Sequence, residues 1–144
     1  MKLVILYDPG GPDWSAADVA GVMKAVEEIA DIFLARGHTA QKVPVRHDMK
    51  WLAWCRRADL VFNLCEGVHG HSVWEDHVAA ALEFTGIPFT GAGSWTIAAC
   101  RRKHVANAIL QAAGVPVPRW MVAQGRVPED FPLPVIIKPA AEDA

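Results

Sequence analysis

The sequence predicts an α/β fold built on a parallel sheet, and three observations carry that prediction. Short apolar runs alternate with stretches of helical periodicity at least three times along the chain. The apolar runs end in turn signals such as Asp8-Pro9-Gly10-Gly11-Pro12. Hydrophobic residues make up 52% and charged residues 21% of 144, an ordinary composition for a globular chain with one core, or with one domain and part of a second. Strands that alternate with helices pack best as a parallel sheet covered on both faces by right-handed crossovers.

Taken in order, Lys2–Tyr7 is a buried strand, because its side chains are apolar without alternation. Ser15 is a natural N-cap for the helix that follows, and Asp18 stands where the partner of a capping box belongs. Val19, Val22, Met23, Val26, Ala30, Phe33 and Leu34 then recur on one helical face. Gly37 sits where a left-handed C-cap is expected. Residues 39–45 form a second strand, kept short or at an edge by Pro44. Asp48 can cap a short helix that turns Trp51, Leu52 and Cys55 inward. Leu60–Leu64 is a third strand, residues 72–84 a helix, and residues 87–90 a fourth short strand closed by Gly91-Ala92-Gly93.

The character changes after about Ser94. Residues 97–113 are helical, in one piece or two, and Gly114 and Pro116 end the helix. Residues 119–123 and 134–138 are strand candidates separated by a polar, proline-bearing loop. The expected division is an α/β domain over 1–94 and the beginning of a second domain over 95–144. A strand at 134–138 with no partner after it leads to the expectation that the sequence is a fragment. The segment from 95 onward is expected to be the less stable part, and to pack against another copy in a homodimer.

Composition excludes several functions. The net charge is 14 − 16 = −2 and the pI is about 6.3, with no basic stripe to attract nucleic acid. No apolar run is long enough to cross a bilayer, and the start lacks the features of a secretory signal. Cys55, Cys65 and Cys100 are odd in number and irregular in spacing, which fits small hydrophobes in a reducing compartment. The expected location is cytoplasmic.

Three stretches together resemble the D-alanine–D-alanine ligase family of the ATP-grasp superfamily. The first is Val61-Phe62-Asn63-Leu64-Cys65-Glu66-Gly67, followed after a loop by Leu82-Glu83-Phe84-Thr85-Gly86-Ile87-Pro88-Phe89-Thr90-Gly91-Ala92-Gly93. The second is Arg101-Arg102-Lys103 leading a helix that ends in Ala113-Gly114-Val115-Pro116-Val117-Pro118. The third is Pro134-Val135-Ile136-Ile137-Lys138-Pro139. Clear matches cover 61–139, while 2–60 matches in pattern only.

The resemblance implies a Rossmann-like N-terminal domain of the kind that precedes an ATP-grasp domain, followed by the start of that domain. It implies an enzyme that phosphorylates a carboxylate with ATP and lets an amine displace the phosphate, acting on amino acids or peptides. ATP and Mg2+ are the implied cofactors, with the metal's carboxylates and the catalytic arginine expected outside 1–144. By motif position Lys103 and Lys138 contact the ATP phosphates, a task that suits lysine as a point charge on a flexible stem. A lysine in the first turn of a helix is ordinarily solvated, although there it opposes the helix dipole. Lys138 follows three apolar residues and so ends an expected buried strand, where ligand groups are commonly placed.

Glu66, His69, His71, Glu75, Asp76 and His77 follow the third strand. By family position Glu66, Glu75 and His69 face the substrate. Against this, Ser72-Val73-Trp74-Glu75 has the form of a capping box, which would occupy Glu75 structurally. Cys65, His69, His71 and His77 match no common zinc spacing, and no metal site is expected among them. The pattern departs from the family in two places. Gly10-Gly11 is followed by no glutamate, so that Asp13 or Asp18 would have to replace it, and Arg102 stands where an aspartate usually precedes the first lysine. D-Alanine itself is therefore not implied as the substrate. The alternatives are a nucleotide-binding α/β module that is not a ligase, and a non-catalytic interaction module derived from one. The loop Pro9-Gly10-Gly11-Pro12 lacks the three-glycine spacing of a dinucleotide fingerprint.

Overall fold

A computed structural model describes residues 1–126 and 128–141. The chain divides into two compact units, Met1–Trp95 and Thr96–Ala144.

The first unit is built on three parallel strands, β1 (Lys2–Tyr7), β2 (Thr39–Pro44) and β3 (Leu60–Leu64), in the order β2-β1-β3. Leu3, Val4, Ile5 and Leu6 of the central strand are all buried, as an unbroken apolar run requires when both faces are covered. Successive residues point to opposite faces. Val4 and Leu6 join Val43, Val61 and the inner side chains of α2 (Trp51–Cys55) and α3 (Glu75–Thr85). Ile5 meets Val26 and Ala30 of α1 (Ala16–Ala35) on the other face, where Phe33 also packs edge-on against Phe62 at 5.5 Å. The result is the expected three-layer α/β arrangement with a parallel sheet.

Ser15 caps α1 in a full capping box. Its hydroxyl oxygen accepts from the Asp18 N–H, and the Asp18 carboxylate accepts from the Ser15 N–H at 3.0 Å. Leu34 is the one residue of the predicted face that turns out to be exposed, at the last turn. Asp48 does not cap α2. Its carboxylate accepts the Lys50 N–H at 3.1 Å in a local turn, and the helix begins after Lys50 without a side-chain cap.

The predicted fourth strand is reduced to one bridge, Val61 to Phe89. Pro88 has no N–H to give to a ladder. Its carbonyl accepts from Val61 at 2.9 Å, and Thr90 N–H donates to the Val61 carbonyl at 3.0 Å. The Thr90 hydroxyl oxygen then accepts the Asn63 N–H that a longer strand would have taken.

α4 (Ser94–Arg101) and α5 (Lys103–Ala112) are separate helices, broken at Arg102, whose backbone (φ −90°, ψ 86°) is not helical. Gly114 (φ 75°) ends α5 as predicted, with the Val115 N–H reaching back to the Leu110 carbonyl at 2.9 Å. Neither 119–123 nor 134–138 forms a strand among the described residues. Ile136 and Ile137 are 84% and 82% exposed, so this stretch is not the buried strand its composition predicts. Glu142 and Asp143 lie outside the described residues. No helix among the described residues is long and apolar enough to cross a membrane.

Candidate functional site

From β1 the chain crosses to β2 on one side and then returns to β3 on the other. That reversal leaves a crevice outside the carboxyl ends of β1 and β3, the place where open α/β sheets bind ligands. Asp8 follows β1 into this crevice and is only 2% exposed. One carboxylate oxygen accepts the Gly10 N–H at 3.0 Å and the other accepts the Gly70 N–H at 2.8 Å. Asp8 thus ties the loop after β1 to the loop after β3. The two loops touch: a Cβ on Gly11 would collide with the His69 carbonyl oxygen, and one on Gly70 would lie 2.6 Å from the Trp14 indole nitrogen. Glycine at 11 is required by this approach, and at 70 also by a φ of 79°.

Beside the two loops is a cavity of about 120 Å³, lined by Asp8, Trp14, Val22, Ala25, Leu64 and Glu66. Small-molecule sites usually run from roughly 300 Å³ upward, so this one can take a single substrate group rather than a whole substrate. Glu66 is exposed at its edge. His69 is half-buried with φ 56°, and its ring stacks on His47 with centroids 5.2 Å apart. Glu75 is the first residue of α3 and is half-buried. The capping box expected there is not formed. Ser72 lies in a 3-10 turn, and α3 starts after Trp74 with no side-chain cap. Burial pushes the Cys65 thiol well above its usual range, and the charges of Asp8, Cys55 and Glu75 push it further. Glu66, Glu75 and Asp8 therefore gather at one end of the sheet, with His69 on the adjoining loop. Asp18 is committed to Ser15, whose hydroxyl and N–H hold its carboxyl below the usual range. It is not available to replace the glutamate missing after Gly10-Gly11.

The two lysines lie in the second unit. Lys103 opens α5, and its backbone N–H donates to the Ala140 carbonyl at 3.3 Å. Arg101, 4% exposed, donates from Nη1 to the Ala141 carbonyl at 3.3 Å. These two bonds hold the Ala140 and Ala141 carbonyls at the start of the helix. Lys138, exposed, is two residues from that contact. Arg101, Arg102 and Lys103 form a run of three cations at a helix N-terminus, where the backbone dipole already favours an anion.

No protein-family model matches the chain. It is 38% identical over 86 residues to a D-alanine–D-alanine ligase of Neisseria meningitidis, across 56% of this chain and 27% of that one. It is 30% identical over 121 residues to a D-alanine–D-alanine ligase of Chelativorans sp., across 78% of this chain and 37% of that one. The backbone matches the crystal structure of a D-alanine–D-alanine ligase from Bacillus anthracis complexed with ATP, with a TM-score of 0.63, 21% identity, and coverage of 84% of this chain and 37% of that chain.

The chain resembles the D-alanine–D-alanine ligases in sequence and in fold. It spans about a third or less of the length of the curated ligases it matches. Some parts of the candidate site were not legible in its sequence. Asp8 reads as one residue of a turn signal, yet it is the buried link between two loops. A carboxylate at the end of an unbroken apolar strand was the available clue. Trp14 reads as an apolar residue before a helix and in fact packs between Gly10 and Gly70. The contact between Lys103 and Ala140 joins positions far apart in sequence, and no local pattern announces it.

Proposed function

We propose that this ligase-like chain supplies the α/β domain, over 1–94, and the start of the ATP-grasp domain, over 95–144, of an ATP-dependent carboxylate–amine ligase. The substrates are amino acids or peptides. ATP phosphorylates one carboxylate, and the amine then attacks the acyl phosphate and releases phosphate. Lys103 and Lys138 hold the ATP phosphates as point charges, and Glu66, Glu75 and His69 face the first substrate at the crevice. The observation that supports this reading is the bond from the Lys103 N–H to the Ala140 carbonyl, two residues after the second motif lysine. The matches to ligases in both sequence and fold support the reaction class.

Among the described residues no group of three or more His, Cys, Asp or Glu is placed to hold a metal ion. No step is therefore routed through magnesium on residues of this chain. Phosphoryl transfer needs cations on the transferring group and exclusion of water, and the matched part of this chain covers 37% of its relatives' length. The 144-residue chain alone is accordingly proposed to be inactive. Incubation with ATP, magnesium and a panel of amino acids is expected to release no amino-acid-dependent phosphate. Release above a no-enzyme control would show that the chain is a ligase by itself and that this division of labour is wrong.

A further inference from the structure

A second cleft, of about 300 Å³, opens at the carboxyl end of β2, beside the loop 68–71. Its floor is apolar: Val45, Trp51, Val68 and Val78 line it and all four are buried. Its exposed rim is built from rings. Trp74 stands edge-on to His47 at 5.8 Å and 83°, and edge-on to His77 at 5.0 Å and 72°. Arg46 completes the lining, which contains no aspartate or glutamate.

The volume is at the low end of small-molecule sites, where a single ring with a short tail fits. The aromatic edges of the rim and the valine floor suit the face of a flat apolar ring. The guanidinium of Arg46 is always charged and presents a fork matched to a carboxylate. Two carboxylates lie beside the lining, Asp48, which feels the charges of Lys50 and Arg46, and Asp76, which pairs with His77. Asp76 lies 3.3 Å from His77 Nδ1, and Asp48 accepts from the Lys50 N–H and pairs with its ammonium at 3.2 Å. The lining itself holds no carboxylate to pair with an ammonium.

Two non-glycine residues at the cleft adopt left-handed backbone, Met49 in the lining at φ 58° and His69 against His47 at φ 56°. Such conformations are sparsely populated and collect at ligand clamps. Met49 brings a soft, adaptable side chain to the opening.

We propose that this cleft binds an arylalkyl carboxylate that carries no free ammonium beside the carboxylate, with the ring on the valine floor against Trp74 and the carboxylate on Arg46. The site goes beyond the ligase reading and does not depend on it.

The test is calorimetric titration of the 144-residue chain with 3-phenylpropanoate. One saturable site per chain is expected. Arg46→Gln and Trp74→Ala should each weaken binding about tenfold, by loss of a charged contact and of an aromatic wall respectively. Both side chains are exposed, so circular dichroism should show both variants folded. Propanoate lacks the ring, 3-phenylpropan-1-ol lacks the charge and phenylalanine adds an ammonium, and each should bind more weakly. Absence of saturable binding, unchanged affinity in both variants, or phenylalanine binding as tightly as 3-phenylpropanoate would each overturn the proposal.

Discussion

Asp8 joins two loops 62 residues apart, and its value is measured by what its loss would strand. Asp8→Ala leaves the N–H groups of Gly10 and Gly70 without their acceptor in a partly buried place. Unsatisfied buried donors cost about 1–3 kcal/mol, so urea denaturation should show a loss of that order. A midpoint unchanged from the parent would mean that water or other groups replace the carboxylate freely. The cysteines make a second prediction at this scale. Burial pushes the Cys55 thiol up to about 12, and Cys65 is raised further by neighbouring negative charge as well as burial. Cys100 is exposed. Iodoacetamide at neutral pH should therefore modify Cys100 and spare the other two while the chain is folded, as read by mass spectrometry. Equal labelling of all three would contradict the packing of Cys55 and Cys65. Their role as small hydrophobes was legible from their number and spacing; which one is exposed was not.

Local signals located most elements, and long-range partners decided their ends. Ser15 and Asp18 are three residues apart, so their capping box could be read from sequence. The start of α4 could not. Its first residue, Ser94, donates from its N–H at 3.0 Å and its hydroxyl at 2.6 Å to the carboxylate of Glu83, eleven residues earlier in α3. Those two donors hold the Glu83 carboxyl below its ordinary 4.5. A lowered folded-state value means stability that is present above about pH 4.5 and lost as pH falls through the folded value. The difference in melting temperature between the parent chain and Glu83→Gln should thus be largest near neutrality and shrink in acid. A difference independent of pH would deny the carboxylate this role. The strand at 134–138 fails for a related reason. Three apolar residues before Lys138 state a preference, but a strand exists only where a neighbour completes its ladder, and none does so among the described residues.

At the scale of the whole molecule, the three-layer first unit was legible because alternation and burial point to the same topology. The crevice at its switch point follows from the strand order, and Glu66, His69 and Glu75 could be read from sequence as residues that follow β3. The roles proposed for Lys103 and Lys138 rest on motif position and on the meeting of α5 with 138–141. The most direct test is to titrate the 15N-labelled chain with Mg-ATP and follow the backbone amide signals. The account predicts shifts concentrated at residues 101–104 and 138–141, abolished or weakened by Lys103→Ala and Lys138→Ala. Shifts confined to the Asp8–Gly11 loop would point instead to a dinucleotide-style site at β1. Together with unaltered binding in both lysine variants, they would contradict the proposed nucleotide site.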